Sequence, residues 1–270
     1  MAETNGKEQS SQSTGKVFQI LEYLTSNRLP VRLQDLSEHL KTPQPTLLRY
    51  LNAMINDNYV YQDEDTKRYA LTWKICRLGH QVQSNLGIRS IVGPYLNALA
   101  NELDLGTCVV TLDGYESVYI DLVEDPSDRT NTLQRIGKRA PLHTTGSGKV
   151  MLSTFSEYEL GEYIREKGLA KLTESTITDP DQLQEELAQT RVRRFAQDKE
   201  ECEPGVRCIS VPVYDYTDGV GAAISAFGHA SKTDDGYMRG DVLKKLLRAS
   251  REISMRLGCS GEIWENFPMP

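Results

Sequence analysis

Residues 41–71, KTPQPTLLRYLNAMINDNYVYQDEDTKRYAL, decide how the N-terminal third folds. Lys41-Thr42-Pro43 reads as a turn. Pro43 and Pro45 are tolerable only outside a helix or in its first turn, where no backbone N–H is needed. A helix therefore begins near Gln44. Leu47, Leu51, Met54 and Ile55 recur at helical spacing and form its buried stripe. Gln44, Thr46, Leu48, Arg49 and Asn52 are left on the other faces. Residues 59–62 then read as a strand, 63–67 as a polar turn and 68–71 as a second strand.

Upstream, residues 16–26, KVFQILEYLTS, place Val17, Ile20, Leu21 and Leu24 on one helical face, behind the capping candidates Ser13 and Thr14. Residues 27–30 stop that helix, and Val31-Arg32-Leu33 can form a short extended piece. A second helix follows around 34–40, with Leu33, Leu36 and Leu40 on one side. Three short helices and then a β-hairpin is the winged helix-turn-helix order. Such a module lays the second helix of its pair in the DNA major groove and rests its wing on phosphate. The candidate DNA contacts are therefore Thr42, Gln44, Thr46, Leu48, Arg49 and Asn52, with Lys67 and Arg68 in the wing. The same geometry also serves protein contacts in proteins that never meet DNA.

A chain of 270 residues accommodates two domains, and 39% hydrophobic residues suits real cores. No run approaches the ~18 apolar residues needed to span a bilayer, so no membrane role is expected. The start, MAETNGKEQSSQSTG, lacks the apolar centre of a secretory signal, and 1–12 read as a disordered arm. Five scattered cysteines without a CxxC pair suggest neither a disulfide framework nor a zinc ribbon, and a reducing cytoplasm is the simplest location. The formal net charge of -7 looks wrong for a DNA binder. Residues 13–75, however, hold eight Lys and Arg against seven Asp and Glu, so the acidity lies outside the proposed DNA module.

Residues 72–104 are mostly helical in pattern. A linker helix over 73–87, rich in apolar positions, could also bury against a second copy. From 106 onward the period changes. Residues 107–112 and 117–123 are β-rich around the turn signal Asp113-Gly114, and 130–136 suggest another strand. Helical stretches follow at about 145–155, 157–166 and 179–194. Residues 208–213 and 221–227 are strands, and a last helix spans about 234–257. Strands and helices mix without a βαβ rhythm, which predicts an α+β domain on an antiparallel sheet. The expected division is an arm at 1–12, a DNA-binding domain at 13–72, the linker helix, an effector-binding domain at 88–260 and a tail at 261–270.

Residues 141–150, PLHTTGSGKV, fail as a phosphate loop. His143 stands where the first Gly is required, and Val150 where the metal-binding hydroxyl is required. A Gly-rich turn entering a helix remains, able to hold a carboxylate or to be a plain turn. In 196–212, AQDKEECEPGVRCISVP, Asp198 and Cys208, with Ser225 later, are small polar groups bordering apolar strands, suited to a small ligand's hydroxyls and carboxylate. The alternatives are a buried core thiol and a packed strand serine. The C-x₅-C spacing of Cys202 and Cys208 matches no recognised metal site.

Four stretches resemble the IclR-type transcription regulators: PTLLRYL, NYVYQDEDTKRYALT, RIGKRAPLHTTGSGKVML and DKEECEPGVRCISVPVYD. The resemblance covers roughly 13–258. It implies a winged helix-turn-helix, a linker helix and a GAF-like effector domain with a six-stranded antiparallel sheet, assembled as a homodimer or a tetramer. It implies an anionic effector against Gly146 and Ser147, with pocket positions at Val206, Asp198, Cys208 and Ser225. The implied effector is a small organic or aromatic acid; the two C-terminal runs look closest to the branch governing sugar-acid catabolism, such as 2-keto-3-deoxygluconate regulators. The implied partners are a double-stranded DNA operator, the effector and self; no cofactor is implied. Repression relieved by ligand is the expected mode. The competing reading is an enzyme that turns over a small organic acid, with Cys208 as nucleophile and His143 as base.

Overall fold

The structure, a computed structural model, describes residues 2–85, 87–125, 135–265 and 267. It divides into two compact units, Met1–Leu86 and Gly87–Pro270.

The first unit contains α1 (Ala2–Ser26), α2 (Leu33–His39), α3 (Gln44–Asn56), β1 (Val60–Gln62), β2 (Tyr69–Leu71) and α4 (Lys74–Asn85). Its core follows the apolar stripes: Ile20, Leu24, Leu36, Leu47, Leu51 and Met54 are buried, while Val17, Leu21 and Ile55 pack partly buried at the margin. Val31 exchanges both backbone hydrogen bonds with Tyr69, at 2.9 and 2.8 Å, and so ties the segment before α2 to the wing. Pro43 caps α3 and Pro45 lies in its first turn, as proline chemistry requires. At the wing tip the Asp63 carboxylate accepts from the Thr66 N–H and hydroxyl, at 2.7 and 2.6 Å. These bonds hold its pKa below the ordinary value. The start of α4 is anchored to this unit, because Lys74 donates to Asp57 O at 2.6 Å and lies 4.0 Å from the centre of the Tyr59 ring. One expectation is corrected. Helix α1 begins at Ala2, so its backbone runs through the stretch read as a disordered arm. Ala2, Glu3, Lys7, Glu8 and Gln9 are all good helix formers.

The second unit opens with α5 (Ile88–Leu103), β3 (Gly106–Asp113) and β4 (Glu116–Val123). Next come β5 (Arg139–Pro141), a 3₁₀ turn (Leu142–Thr144), α6 (Gly146–Leu152), α7 (Glu157–Lys167) and α8 (Pro180–Arg193). It closes with β6 (Ala196–Lys199), β7 (Val206–Tyr214), β8 (Val220–His229), a turn of helix α9 (Asp235–Tyr237), a π-helical segment (Met238–Val242) and α10 (Leu243–Arg256). The six strands form one antiparallel sheet in the order β5-β4-β3-β8-β7-β6. Side chains alternate between two cores, as strand geometry dictates. Val109, Ile209, Val211, Val213 and Ile224 face α5 and α10, whereas Cys108, Val110, Cys208, Ala223 and Phe227 face α6, α7 and α8.

Three details depart from the sequence reading. The strand expected at 130–136 lies largely outside the described residues, and the edge strand is Arg139–Pro141 instead. The last helix is interrupted by the π segment, from which Arg239 Nε reaches Gln197 Oε1 at 2.8 Å. The supposed tail is part of the domain, because Trp264 and Phe267 stack with ring centres 4.4 Å apart in the α5–α10 core.

Candidate functional sites

In the first unit Gln44, Arg49 and Asn52 project from α3 as exposed residues, and Thr46 is half-buried on the same helix. Arg49 donates to the neighbouring Tyr50 hydroxyl at 3.4 Å and lies 5.2 Å from the centre of that ring, which leaves most of the N–H groups of its fork available among the described residues. Lys67 is exposed at the wing tip with φ 57. Three expected contacts change character. Thr42 is buried and its hydroxyl donates to Leu40 O at 2.8 Å, while its carbonyl accepts from Ser37 Oγ at 2.7 Å. It shapes the turn and has no donor to offer a phosphate. Leu48 packs half-buried against the core instead of standing outward. Arg68 is half-buried and directs one N–H to Pro30 O at 3.4 Å. The exposed Lys41, between α2 and α3, is a cation that the sequence reading passed over.

In the second unit the structure brings the six expected effector contacts together on the α6 face of the sheet. Asp198 on β6 pairs in register with Cys208 on β7. One row further on, Ser210, Ser225 and Cys108 lie side by side across β7, β8 and β3. The Ser210 and Ser225 hydroxyls are 2.7 Å apart. Val206 precedes Cys208 by two residues and shares its face. The start of α6 lies directly on this surface: a Cβ on Gly146 would come within 2.7 Å of Ser210 Oγ and 3.1 Å of Cys208 Sγ. Ser147 is buried beside it, 3.4 Å from the Thr145 hydroxyl. Thr145 caps the helix by accepting from Gly148 N at 3.0 Å. Ser210, Cys108 and Tyr119 were missed by sequence reasoning. Ser210 and Cys108 follow from strand alternation once β3 and β7 are known to be neighbours of β8.

Lys149, the next residue along α6, is only 1% exposed. Its ammonium donates to Glu201 Oε1 at 2.6 Å and to Gln197 O at 3.0 Å. The Glu201 N–H in turn donates to Asp198 Oδ1 at 2.6 Å. Burial raises the Glu201 carboxyl pKa, with Lys149 opposing. The lysine of the rejected phosphate-loop pattern therefore pins α6 to the turn that carries Asp198.

Asp198 is almost fully enclosed, and burial pushes its carboxyl up to about 7 against the pull of the two backbone donors and Lys149. Its protonated form is favoured in the fold relative to the unfolded chain. That contribution is fully present below the unfolded value of 3.8 and is lost as pH rises through about 7. The difference corresponds to about 4 kcal/mol as an upper figure. Asp198→Asn should therefore flatten the decline of unfolding free energy between pH 4.5 and pH 7.5. Urea titrations of both proteins at the two pH values check this; parallel declines would contradict it.

The enzyme reading finds no support in the geometry. His143 Nδ1 is 2.8 Å from the Tyr163 hydroxyl and Nε2 3.1 Å from Ala170 O, so its ring is committed to α7 and the loop beyond it. Burial and neighbouring Asp198 hold the Cys208 thiol well above its ordinary pKa. That keeps it protonated, the opposite of what a nucleophile needs.

Comparison with known proteins assigns both units to one family. Residues 13–64 match a family model described as the IclR helix-turn-helix domain, and residues 80–255 one described as bacterial transcriptional regulator IclR C-terminal. The chain is 31% identical over 247 residues to the HTH-type transcriptional regulator XynR of Escherichia coli K12, covering 92% of this chain and 97% of that protein. It is 32% identical over 263 residues to the HTH-type transcriptional regulator KdgR of Dickeya chrysanthemi, covering 96% and 84%. Among solved structures, Thermotoga maritima IclR superposes with a TM-score of 0.61 at 30% identity, over 92% of this chain and 99% of that one.

Proposed function

The chain belongs to the IclR family of transcriptional regulators, and from that premise we propose that α3 and the wing read a double-stranded operator while the α6 face of the sheet captures a small organic acid. The observation that carries the effector half is the convergence of Asp198, Cys208, Ser210 and Ser225 beneath Gly146 and Ser147. Several small polar groups on a largely apolar floor are what a ligand with oxygens on a short carbon skeleton requires. The DNA contacts are Gln44, Thr46, Arg49 and Asn52 on α3, with Lys67 and part of Arg68 on phosphate and Leu48 offering only its uncovered edge.

The protein acts in the cytoplasm as a repressor released by its ligand, and the similarity to KdgR and XynR favours an acid from sugar-acid catabolism. It works as a homo-oligomer, a dimer or a tetramer on a two-fold operator. Supporting this, the first unit carries an apolar cleft of about 390 Å³ lined by residues including Val17, Phe18, Leu21, Ile75 and Leu78. Phe18 and Trp73 are exposed in the same unit. The acid shifts operator affinity only through its differential affinity for two arrangements of the protein.

Thermal-shift screening of sugar acids, keto acids and aromatic acids against the full chain tests the effector half, because a ligand stabilises in proportion to its concentration over its Kd. No stabilisation by any of them would overturn it. For the DNA half, Arg49→Ala should weaken operator binding by about 1–3 kcal/mol, roughly tenfold to a hundredfold, without lowering the melting temperature. An unchanged gel-shift midpoint would remove Arg49 from the interface.

A further inference from the structure

Tyr119 of β4 lies in the core on the effector side of the sheet, and none of the roles described so far uses it. It pairs with Val110 on β3 and is 4% exposed, inside the core that holds Cys108 and Cys208. Both of its backbone groups are held by the turn that leads into β5. The amide donates to Lys138 O at 3.1 Å, and the carbonyl accepts from Gly137 N at 2.8 Å. The phenol oxygen lies within electrostatic reach of Cys108, Cys208, Cys202 and Asp198. Burial, reinforced by these groups, raises its pKa well above the ordinary value, so the hydroxyl keeps its proton and is a donor.

Among the described residues that donor has no acceptor, whereas its neighbours are already served. The Ser225 hydroxyl meets Ser210. Asp198 Oδ1 takes the N–H of Glu201 and of Cys202, at 2.6 and 3.4 Å. The Cys202 thiol has the Thr144 hydroxyl beside it. A hydroxyl that no protein group engages, at the edge of a buried core, is free to meet a ligand. Lys149 cannot serve the ligand, because its ammonium is occupied by Glu201 and Gln197 O. The hydroxyls of Tyr119, Ser210 and Ser225 are then neutral donors for an acid entering here, and Asp198 Oδ2 is left for a hydroxyl.

We propose that Tyr119 is a specificity-determining residue of the effector site, its hydroxyl donating to an acceptor oxygen of the bound acid while Asp198 pairs with a hydroxyl on the same molecule. The ligand class is a hydroxylated carboxylic acid, since a purely hydrocarbon acid would leave Asp198 facing carbon. This inference rests on the acid-sensing reading of the second unit.

The test compares the full chain with Tyr119→Phe in thermal-shift and calorimetric titrations against gluconate, glycerate, benzoate and butyrate. Without ligand, the variant should melt at about the same temperature, because it loses no hydrogen bond inside the protein. A clearly lower melting point would mean that the hydroxyl has a partner inside the protein, and would overturn the proposal. With ligand, a hydroxylated acid should stabilise the wild type more than benzoate or butyrate does, and Tyr119→Phe should bind it roughly tenfold to a hundredfold more weakly. Equal affinity of the two proteins, or a preference for benzoate or butyrate, would overturn the role of Tyr119 and leave acid sensing standing. Failure of all four acids to stabilise the wild type would count against acid sensing itself, and this inference would fall with it.

Discussion

Lys149→Ala should lower the unfolding free energy of the C-terminal unit by about 3–5 kcal/mol, the range for removing one partner of a buried ion pair. The substitution strands the Glu201 carboxylate, whose Oε2 already has no hydrogen-bond partner, and leaves Gln197 O without its donor. Protonation of Glu201 limits the damage, since burial already raises its pKa. A Lys149→Met, Glu201→Gln double variant should therefore recover much of the loss, because no unpaired charge remains. Tryptophan fluorescence suits the measurement: Trp264 is buried in the C-terminal core, whereas Trp73 is exposed and changes little on unfolding. A single variant within 1 kcal/mol of wild type, on the order of the median for exposed pairs, would show that the pair is not a structural anchor.

An effect of similar size is expected from Gly148→Ala. A Cβ at this position would sit 2.1 Å from Leu142 O and 2.5 Å from Leu142 Cα. Both are main-chain atoms of the 3₁₀ turn before α6, so no side chain can swing aside. Either the turn or the helix must move, at a cost of at least about 3 kcal/mol, the upper end for overpacking. The movement would also lift Gly146 off Ser210 and Cys208, so ligand stabilisation should disappear together with the melting temperature. Gly161→Ala in α7 is the control. Its Cβ would meet nothing within 4 Å, and alanine is the better helix former by up to about 1 kcal/mol. If Gly148→Ala melted like Gly161→Ala, the close approach of α6 to the turn would be wrong.

These two glycines illustrate what the sequence could and could not reveal. The winged module was legible because each element announces itself locally: the Leu47-Leu51-Met54 spacing, prolines confined to one helix start, and two strands around a polar turn. Thr42 was misread because its position in a turn does not disclose that Leu40 O would claim its hydroxyl. In the second unit, alternation identified β7 and β8, but β6 is four residues of AQDK and carries no β signature. The link between Lys149 and Glu201 spans 52 positions and depends on sheet order, which no local period encodes. Asp198, Cys208 and Ser225 could be named as polar groups beside apolar runs. Tyr119 could not be set apart from an ordinary core tyrosine, because its distinguishing property is a missing partner. The π segment was equally hidden, since Met238–Val242 reads as plain helix.

The sheet ends in two very short outer strands, three residues at β5 and four at β6, and β5 closes on Pro141, which has no N–H to give. Little main chain is left there as a template for another polypeptide. Among the described residues, then, the sheet offers a poor edge for growth from one copy into the next, which protects a crowded cell against fibre-like stacking of the same domain.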